Sequence, residues 1–192
     1  MKKFFALTIL IFAMMSGVCL ALDKDDFSLG GVYLDMSEEE VIKMHGQPTF
    51  TFGGRFGGLG HIISSCVQYG DNVEIAYGVG GVRFVDVTRF VVVTANNGWK
   101  TTAGVHVGMS IDDVIKIYGK DYRIYKRKPF NHPDYDNKRK HLHCTLDGTA
   151  YVWSRVGEKY IYDPGDITHH INVIVKNKKV TAIEISQSTP EY

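Results

Sequence analysis

A segment of sixteen residues occurs twice in this chain, and that repetition constrains the fold more than any other feature. Residues 31–46 read GVYLDMSEEEVIKMHG, and residues 104–119, 73 positions later, read GVHVGMSIDDVIKIYG. Eight of the sixteen positions are identical, where average composition would give roughly one. Repetition over this length is typical of a duplicated supersecondary unit. The sequence therefore predicts two tandem copies of one small module.

The N-terminus has the pattern of a secretory leader. Lys2 and Lys3 form a positive start, residues 4–18 are almost entirely apolar, and Ala21 precedes an acidic segment. The apolar run is short for a membrane span. We therefore predict a signal peptide over residues 1–21, a secreted or periplasmic mature chain, and no stable membrane span after cleavage. Lipidation of Cys19 is the alternative, although Val18 stands where lipoprotein signals carry Gly, Ala or Ser.

The charge balance argues against two classes of partner. The full chain has 22 basic and 21 acidic side chains, and loss of the two leader lysines leaves 20 basic against 21 acidic. Nothing in this balance indicates binding to nucleic acid or to an anionic membrane. The remaining chain is long enough to bury a substantial core, and the two modules are expected at residues 22–98 and 99–192.

Each copy of the repeat predicts one short helix. Ser37 and Ser110 stand at N-cap positions, and Glu40 and Asp113 follow three residues later, as in a capping box. A glycine closes each repeat, at the position where a left-handed residue commonly ends a helix. Apolar residues recur along only one side, so each helix is expected to cover a sheet with that side.

The segments that follow each helix predict antiparallel strands, because β-branched and aromatic residues alternate there with turn signals. The predicted strands of the first copy are 49–52, 61–68, 73–77, 82–86 and 90–94; those of the second are 122–126, 150–155, 159–162, 171–176 and 180–186. The predicted fold class is α+β: two tandem helix-plus-antiparallel-meander repeats that form one extended sheet, with the helices packed on one face.

The repeated pattern Gly-Val-x-x-x-Met-Ser-x-x-x-Val-x-x-x-x-Gly, followed by a small meander, resembles the module of the β-lactamase inhibitor protein (BLIP) and BamE-like superfamily of bacterial secreted proteins. The inhibitor has two such modules in tandem, as predicted here over roughly residues 27–188. The resemblance implies helices on one face of a concave antiparallel sheet, whose other face meets a protein partner. This chain has one clear helix per repeat, whereas family members often have two.

Catalytic and nucleotide-binding motifs are weak in this chain. The glycines of residues 53–60 precede a predicted strand and lack the Gly-Lys-Ser/Thr of a phosphate-binding loop. Neither a nucleophile elbow nor a zinc-protease motif is present. We therefore predict a protein that is not an enzyme and needs no cofactor, with an unrecognised hydrolase or ligand carrier as the alternative.

Histidines and cysteines allow two interpretations. One group could supply metal ligands: His132, His141, His143, Cys144, His169 and His170. We interpret these histidines instead as surface residues beside a disulfide-bonded cysteine, and predict no metal. Cys66 and Cys144 remain after leader cleavage, at near-equivalent positions 20 and 25 residues beyond the terminal glycines of their repeats. An oxidising compartment favours a bridge, so we predict a Cys66–Cys144 disulfide.

Two aromatic strands predict a binding surface. Tyr151, Trp153 and Arg155 alternate onto one face of their strand, and Tyr160 and Tyr162 share a face of the next. If the small and aliphatic side lies under the helix, the aromatic side is exposed, and exposed Tyr, Trp and Arg are the residue types that dominate interface hot spots. The alternative is that these aromatic residues form the core.

The loop at residues 126–143 is basic and is predicted to lie on the surface. Its charges come from Lys126, Arg127, Lys128, Lys138, Arg139 and Lys140. They could attract an acidic protein or an anionic cell-wall polymer, or simply be solvated. The sequence thus predicts a secreted or periplasmic, non-catalytic protein-binding module, with an inhibitor as one form of it. An assembly or structural factor of the cell envelope is the alternative.

Overall fold

One large antiparallel sheet and a few helices make up the chain in a computed structural model, which describes residues 22–52, 56–58, 61–80, 85–130, 140–159 and 166–188. A 3-10 turn at Lys24–Asp26 precedes the helices α1 (Glu38–His45), α2 (Ile111–Tyr118) and α3 (Leu142–Thr145). The strands are β1 (Ser28–Leu29), β2 (Val32–Tyr33), β3 (Phe50–Phe52), β4 (Phe56–Gly58), β5 (His61–Tyr69), β6 (Val73–Gly80), β7 (Val85–Val93), β8 (Arg123–Arg127), β9 (Gly148–Lys159), β10 (Asp166–Lys176) and β11 (Lys179–Ser188).

The large sheet is centred on the pairing of β7 with β11. Its order is β3–β5–β6–β7–β11–β10–β9–β8, with β4 also paired to β5, while β1 and β2 form a separate hairpin. Neighbouring strands are antiparallel, and Val91 in β7 lies opposite Ile185 in β11. Hairpins lead outward from the central pair on both sides. The predicted extended antiparallel sheet is therefore confirmed, in a fold that is mostly strand.

Both predicted helices are present, and both begin at the predicted caps. The Ser37 hydroxyl accepts a hydrogen bond from the Glu40 N–H at 3.3 Å, and the Glu40 carboxylate accepts one from the Ser37 N–H at 2.9 Å. The Ser110 hydroxyl accepts from the Asp113 N–H at 3.2 Å. Each helix ends at a glycine with a positive φ, 79° for α1 and 82° for α2. None of the helices in the described part of the chain is long and apolar enough to cross a membrane.

The segments before α1 and α2 attach to the sheet in the same way. Thr88 in β7 exchanges two backbone hydrogen bonds with residues 35 and 36, at 3.0 and 2.8 Å. Val180 in β11 exchanges two with residues 108 and 109, at 2.8 and 2.9 Å. Residues 108 and 109 lie 73 positions after residues 35 and 36, which is the offset of the sequence repeat.

Both faces of the sheet are buried. On the face covered by α1 and α2, which we call the helix face, Val41, Val114 and Tyr118 pack with side chains of the sheet such as Ile75 and Ile183. The second face carries its own core cluster: Phe52, Ile63, Cys66, Ala76, Phe90, Val92, Leu146, Ala150, Val152, Ile174 and Ala182. The expectation of an open second face is therefore wrong, because α3 and its flanking residues pack there.

Strand β7 joins two segments that the sequence predicts as separate strands. Thr88 and Arg89 are polar, which favours a break, yet both are buried in the continuous strand. The Thr88 hydroxyl donates to the Met36 carbonyl at 2.9 Å, and Arg89 Nη1 donates to Asp35 at 3.2 Å and to Gln187. These partners compensate the cost of burying polar groups in a continuous strand.

Candidate functional site

A row of polar side chains crosses the second face of the sheet. The strand register places Gln68 opposite Glu74, Glu74 opposite Val92, Val92 opposite Glu184, and Glu184 opposite Asn172. The two glutamates therefore lie on either side of one valine, near the middle of the sheet. All four polar side chains are buried. Burial of two carboxylates requires strong local compensation.

Glu74 is held by donors from two directions. Its Oε2 accepts hydrogen bonds from the Leu142 N–H at 2.7 Å and from Gln68 Nε2 at 3.0 Å. Its Oε1 lies 3.4 Å from Nδ1 of His141. The thiol of Cys66 lies on the same face, and burial, followed by the negative charge of Glu74, raises its pKa. These contacts fix one carboxylate oxygen and leave the other facing a histidine.

Glu184 has a second histidine as its partner. His143 Nδ1 lies 2.5 Å from Glu184 Oε2, and Arg127 Nη2 lies 3.8 Å from the same oxygen. Asn172 Nδ2 donates to Oε1 at 3.0 Å. Burial alone would raise the pKa of Glu184, but His143 and Arg127 together outweigh burial and lower it. Glu184 is therefore a buried ionised group that contacts the Arg127 guanidinium and the His143 ring.

The short helix α3 brings both histidines to the sheet. His141 occupies the N-cap position of α3, and its ring stacks on Phe52 with 3.7 Å between centroids. The His143 ring stacks on Phe90 at 4.9 Å. The loop at residues 126–143 and its histidines were expected on the surface, and that expectation is wrong for His141, which is 3% exposed; the adjacent Cys144 is 5% exposed. Buried histidines need polar partners, which solvent would supply on the surface, and here the buried glutamates supply them.

Sequence reasoning missed Glu74 and Glu184. Each lies between aliphatic residues in a strand, a pattern that is typical of a solvent-facing position. The sequence did contain one indication of this site: two glutamates in apolar strands together with two histidines, His141 and His143, that could pair with them. The residues that meet are 67 and 41 positions apart in sequence, so no local spacing could have linked them.

Cys66 and Cys144 are both buried thiols in the structure. They lie close enough for the charge of Cys144 to contribute to the raised pKa of Cys66. No bond joins them, and the predicted disulfide stays a prediction.

Trp153 is part of the core, which corrects the expectation that it is exposed. It is 1% exposed and lies on the helix face, where its ring centroid is 5.4 Å from Tyr118 and 5.2 Å from Tyr122. Its Nε1 donates to the carbonyl of Gly119 at the end of α2, at 3.1 Å. The aromatic side of β9 therefore faces the helices, as in the alternative interpretation of this strand.

The other predicted residues of the aromatic surface have different environments. Tyr151 is half-buried against Tyr122, with 5.3 Å between the ring centroids. Arg155 is exposed, and its Nη1 donates to Asp23 at 3.3 Å. Tyr160 and Tyr162 lie outside the described residues. The structure thus does not bring these five side chains together on one exposed face of the described sheet.

The predicted basic residues also differ among themselves. Arg127 is largely buried and contacts Glu184 and His143, so it belongs to the polar row rather than to a surface. Lys128 is exposed. Lys138 and Arg139 lie outside the part of the chain that the structure describes.

The strand β8 forms one edge of the sheet and carries exposed apolar side chains. In the described chain it pairs only with β9. Ile124 is 57% exposed and Tyr125 is 41% exposed, and Phe130 lies exposed shortly after the strand. We call Ile124, Tyr125 and Phe130 the edge patch. Successive strand residues point to opposite faces, so Ile124 lies on the helix face beside Tyr151, and Tyr125 lies on the second face, where its hydroxyl donates to Asn172 at 3.4 Å. The flanking Arg123, Lys126 and Lys128 are also exposed, so the edge patch has a basic surround.

An acidic cavity of about 360 Å³ lies on the helix side of the molecule, beside the 3-10 turn. Its lining comprises Asp25, Phe27, Tyr33, Leu34, Asp35, Met36, Glu40 and His169. Two of its carboxylates already have partners, because Asp35 pairs with Arg89 and Glu40 completes the cap of α1.

No protein family, curated protein or solved structure matches this chain. The chemistry of its surfaces and buried clusters is therefore the basis for an assignment of function.

Proposed function

We propose that the mature chain is an exported, non-catalytic protein-binding module that docks its partner at the edge patch. The observation that carries this proposal is the exposure of Ile124 and Tyr125 on β8, an edge strand of the described sheet. Edge strands are usually shielded, because their outer N–H and C=O groups can pair with another chain. An edge that keeps large apolar side chains in solvent is suited to adding a strand from a partner.

The chemistry of the surround indicates the kind of partner. Arg123, Lys126 and Lys128 give this edge a positive charge. A partner segment that is extended, acidic and partly apolar would pair with the backbone of β8 and complement these charges. The half-buried Tyr151, which faces the same side of the sheet as Ile124, extends the apolar surface inward. The proposed binding surface is therefore this sheet edge, and not the aromatic sheet face predicted from the sequence.

Two further features support the proposal of an exported tandem-repeat protein. The leader at residues 1–21 has the pattern of a signal peptide. The matched hydrogen bonds of Thr88 and Val180, and the outward order of strands from the β7–β11 pair, are what a duplicated module would produce. A tandem pair of helix-and-meander modules is also the arrangement of the BLIP and BamE-like superfamily that the repeat resembles.

A site-specific crosslinking experiment tests the edge patch. A photoreactive amino acid replaces Ile124 in the exported full chain, and irradiation is carried out in the cells that produce it. We expect one discrete crosslinked species of higher mass. Substituting Tyr125→Glu in the same chain should reduce its yield about tenfold or more, since a buried interface anchor contributes about 2 kcal/mol.

Ile117 provides the matched control, because it is an exposed isoleucine on α2 rather than on the edge strand. The same photoreactive residue at position 117 should give no such species. Equal crosslinking from positions 117 and 124, or no crosslink from either, would contradict docking at β8. Fractionation of the crosslinked species with membranes would favour the envelope-factor form of the function.

A further inference from the structure

We propose that Cys66, Glu74 and His141 form a zinc-binding site under α3. Their sulfur, carboxylate oxygen and ring nitrogen atoms all lie within 4.8 Å of one another. Cys66 in β5 and Glu74 in β6 share the second face of the sheet, and His141 reaches them from the start of α3. Two consecutive paired strands and a helix residue 67 positions after Glu74 thus converge on one point. This inference is independent of docking at the edge patch.

The ligand types select zinc among common divalent ions. A thiolate, an imidazole and a carboxylate together form a mixed sulfur, nitrogen and oxygen set that suits Zn²⁺, whereas Ca²⁺ and Mg²⁺ require oxygen ligands. Bonds of about 2.0–2.3 Å at tetrahedral angles place ligand atoms roughly 3.3–3.8 Å apart. His141 Nδ1 and Glu74 Oε1 already lie 3.4 Å apart, so binding requires the remaining separations, each within 4.8 Å, to close by at most about 1.5 Å through side-chain rotation.

Burial and charge also favour a cation at this point. Cys66 and Glu74 are fully buried, and the ring Nδ1 of His141 lies 3.4 Å from Oε1 of Glu74. Zn²⁺ bound to one thiolate and one carboxylate makes a neutral cluster, which removes the cost of burying an anion. Three protein ligands leave the fourth tetrahedral position to a ligand such as water, and the bound ion would tie α3 to the sheet.

Neighbouring groups already orient the ligands. The Leu142 N–H and Gln68 Nε2 both bind Oε2 of Glu74, and Gln68 Nε2 also donates to the Lys140 carbonyl at 3.1 Å. Phe52 supports the ring of His141 by stacking. Such outer contacts are typical of metal sites, where they fix the ligand orientation before the ion binds.

Metal titration of the mature chain tests the site. Protein purified with a reductant and stripped with a chelator is titrated with Zn²⁺ against a chromophoric chelator, and separately with Co²⁺. We expect one Zn²⁺ per chain and a thiolate-to-cobalt charge-transfer band. Cys66→Ala, Glu74→Gln and His141→Gln should each weaken Zn²⁺ binding by about 100-fold or more, since outer contacts alone are worth 10–100-fold.

His143→Gln is the matched control, because His143 belongs to the same helix but contacts Glu184. This variant should bind Zn²⁺ within about threefold of the parent. A second measurement needs no variant: Zn²⁺ should raise the melting temperature of the parent chain in proportion to the logarithm of its concentration. Failure of the parent to bind Zn²⁺, unchanged binding by Cys66→Ala, or a Cys66–Cys144 disulfide in protein isolated without reductant would each overturn the proposal.

Discussion

Trp153 illustrates what alternation along a strand can and cannot predict. The period of two correctly groups Tyr151 with Trp153 on one face and Ala150 with Val152 on the other. Alternation does not say which face lies under the helices, and here both faces are buried. Residue type offered no further help, because aromatic and aliphatic side chains are equally suited to a core.

The burial of Trp153 predicts a large stability loss on truncation. Trp153→Ala should lower the free energy of unfolding by roughly 3–5 kcal/mol, because it leaves a cavity beside Tyr118 and removes the hydrogen bond to the Gly119 carbonyl. Urea denaturation followed by circular dichroism measures the change. Arg155→Ala, at an exposed position of the same strand, is the control and should have little effect. A Trp153→Ala variant as stable as the parent would contradict the assignment of this ring to the core.

The lowered pKa of Glu184 predicts that the free energy of unfolding decreases in acid. Its pKa in the folded state is lowered from the usual 4.5, so the stabilisation is fully present above about pH 4.5 and is lost as the pH falls through the folded-state value. The groups facing it are His143, Arg127, His170 and Tyr125. Glu184→Gln should cost roughly 3–5 kcal/mol at pH 7, because it leaves Arg127 and His143 without a carboxylate.

The measurement for Glu184 is a series of urea midpoints between pH 7 and pH 3. The difference between the parent and Glu184→Gln should shrink toward the acid end. Asp147→Asn is the control, since that carboxylate pairs with Lys176 in solvent and should contribute little at any pH. A parent–variant difference that does not change with pH would show that Glu184 does not titrate as described.

Among the elements, α1 and α2 were predictable and α3 was not. The signals for α1 and α2 are local, because a serine cap, an acidic residue three positions later and a terminal glycine all lie within one segment. The single turn of α3 is set by long-range contacts to Glu74 and Glu184, at sequence separations that no local pattern records. The same reasoning explains β7, where the partners of Thr88 and Arg89 come from other parts of the chain.

The serine caps predict a measurable contribution from each helix start. Ser37→Ala and Ser110→Ala should each lower the free energy of unfolding by about 1 kcal/mol, because each removes an acceptor for a helix N–H. Ser37→Thr and Ser110→Thr keep an accepting hydroxyl and serve as controls. Chemical denaturation of the four variants measures the effect. If Ala and Thr are equivalent at either position, the cap there does not stabilise its helix.

At the scale of the whole molecule, the two halves of the chain contribute to one sheet and to one core on the helix face. β7 of the first half pairs with β11 of the second, and the helix-face cluster contains Val41 from one half and Val114 from the other. Leu142 of the second half donates to Glu74 of the first. The sequence repeat predicts two similar units, but it carries no information on the β7–β11 pairing or the Leu142–Glu74 contact, because those involve residues outside the repeated segment.

Shared burial predicts that neither half folds alone. Residues 22–98 expressed separately would expose β7 as a new sheet edge and lose the partners of much of their core, so aggregation is expected. The matched experiment inserts a protease site among the exposed residues 96–98 of the mature chain and cleaves it after folding. The cleaved halves should stay together in size-exclusion chromatography with an unchanged circular dichroism spectrum, because the β7–β11 pairing and both cores remain intact. A soluble, monomeric 22–98 fragment with a cooperative melt would instead show that each half is an independent domain.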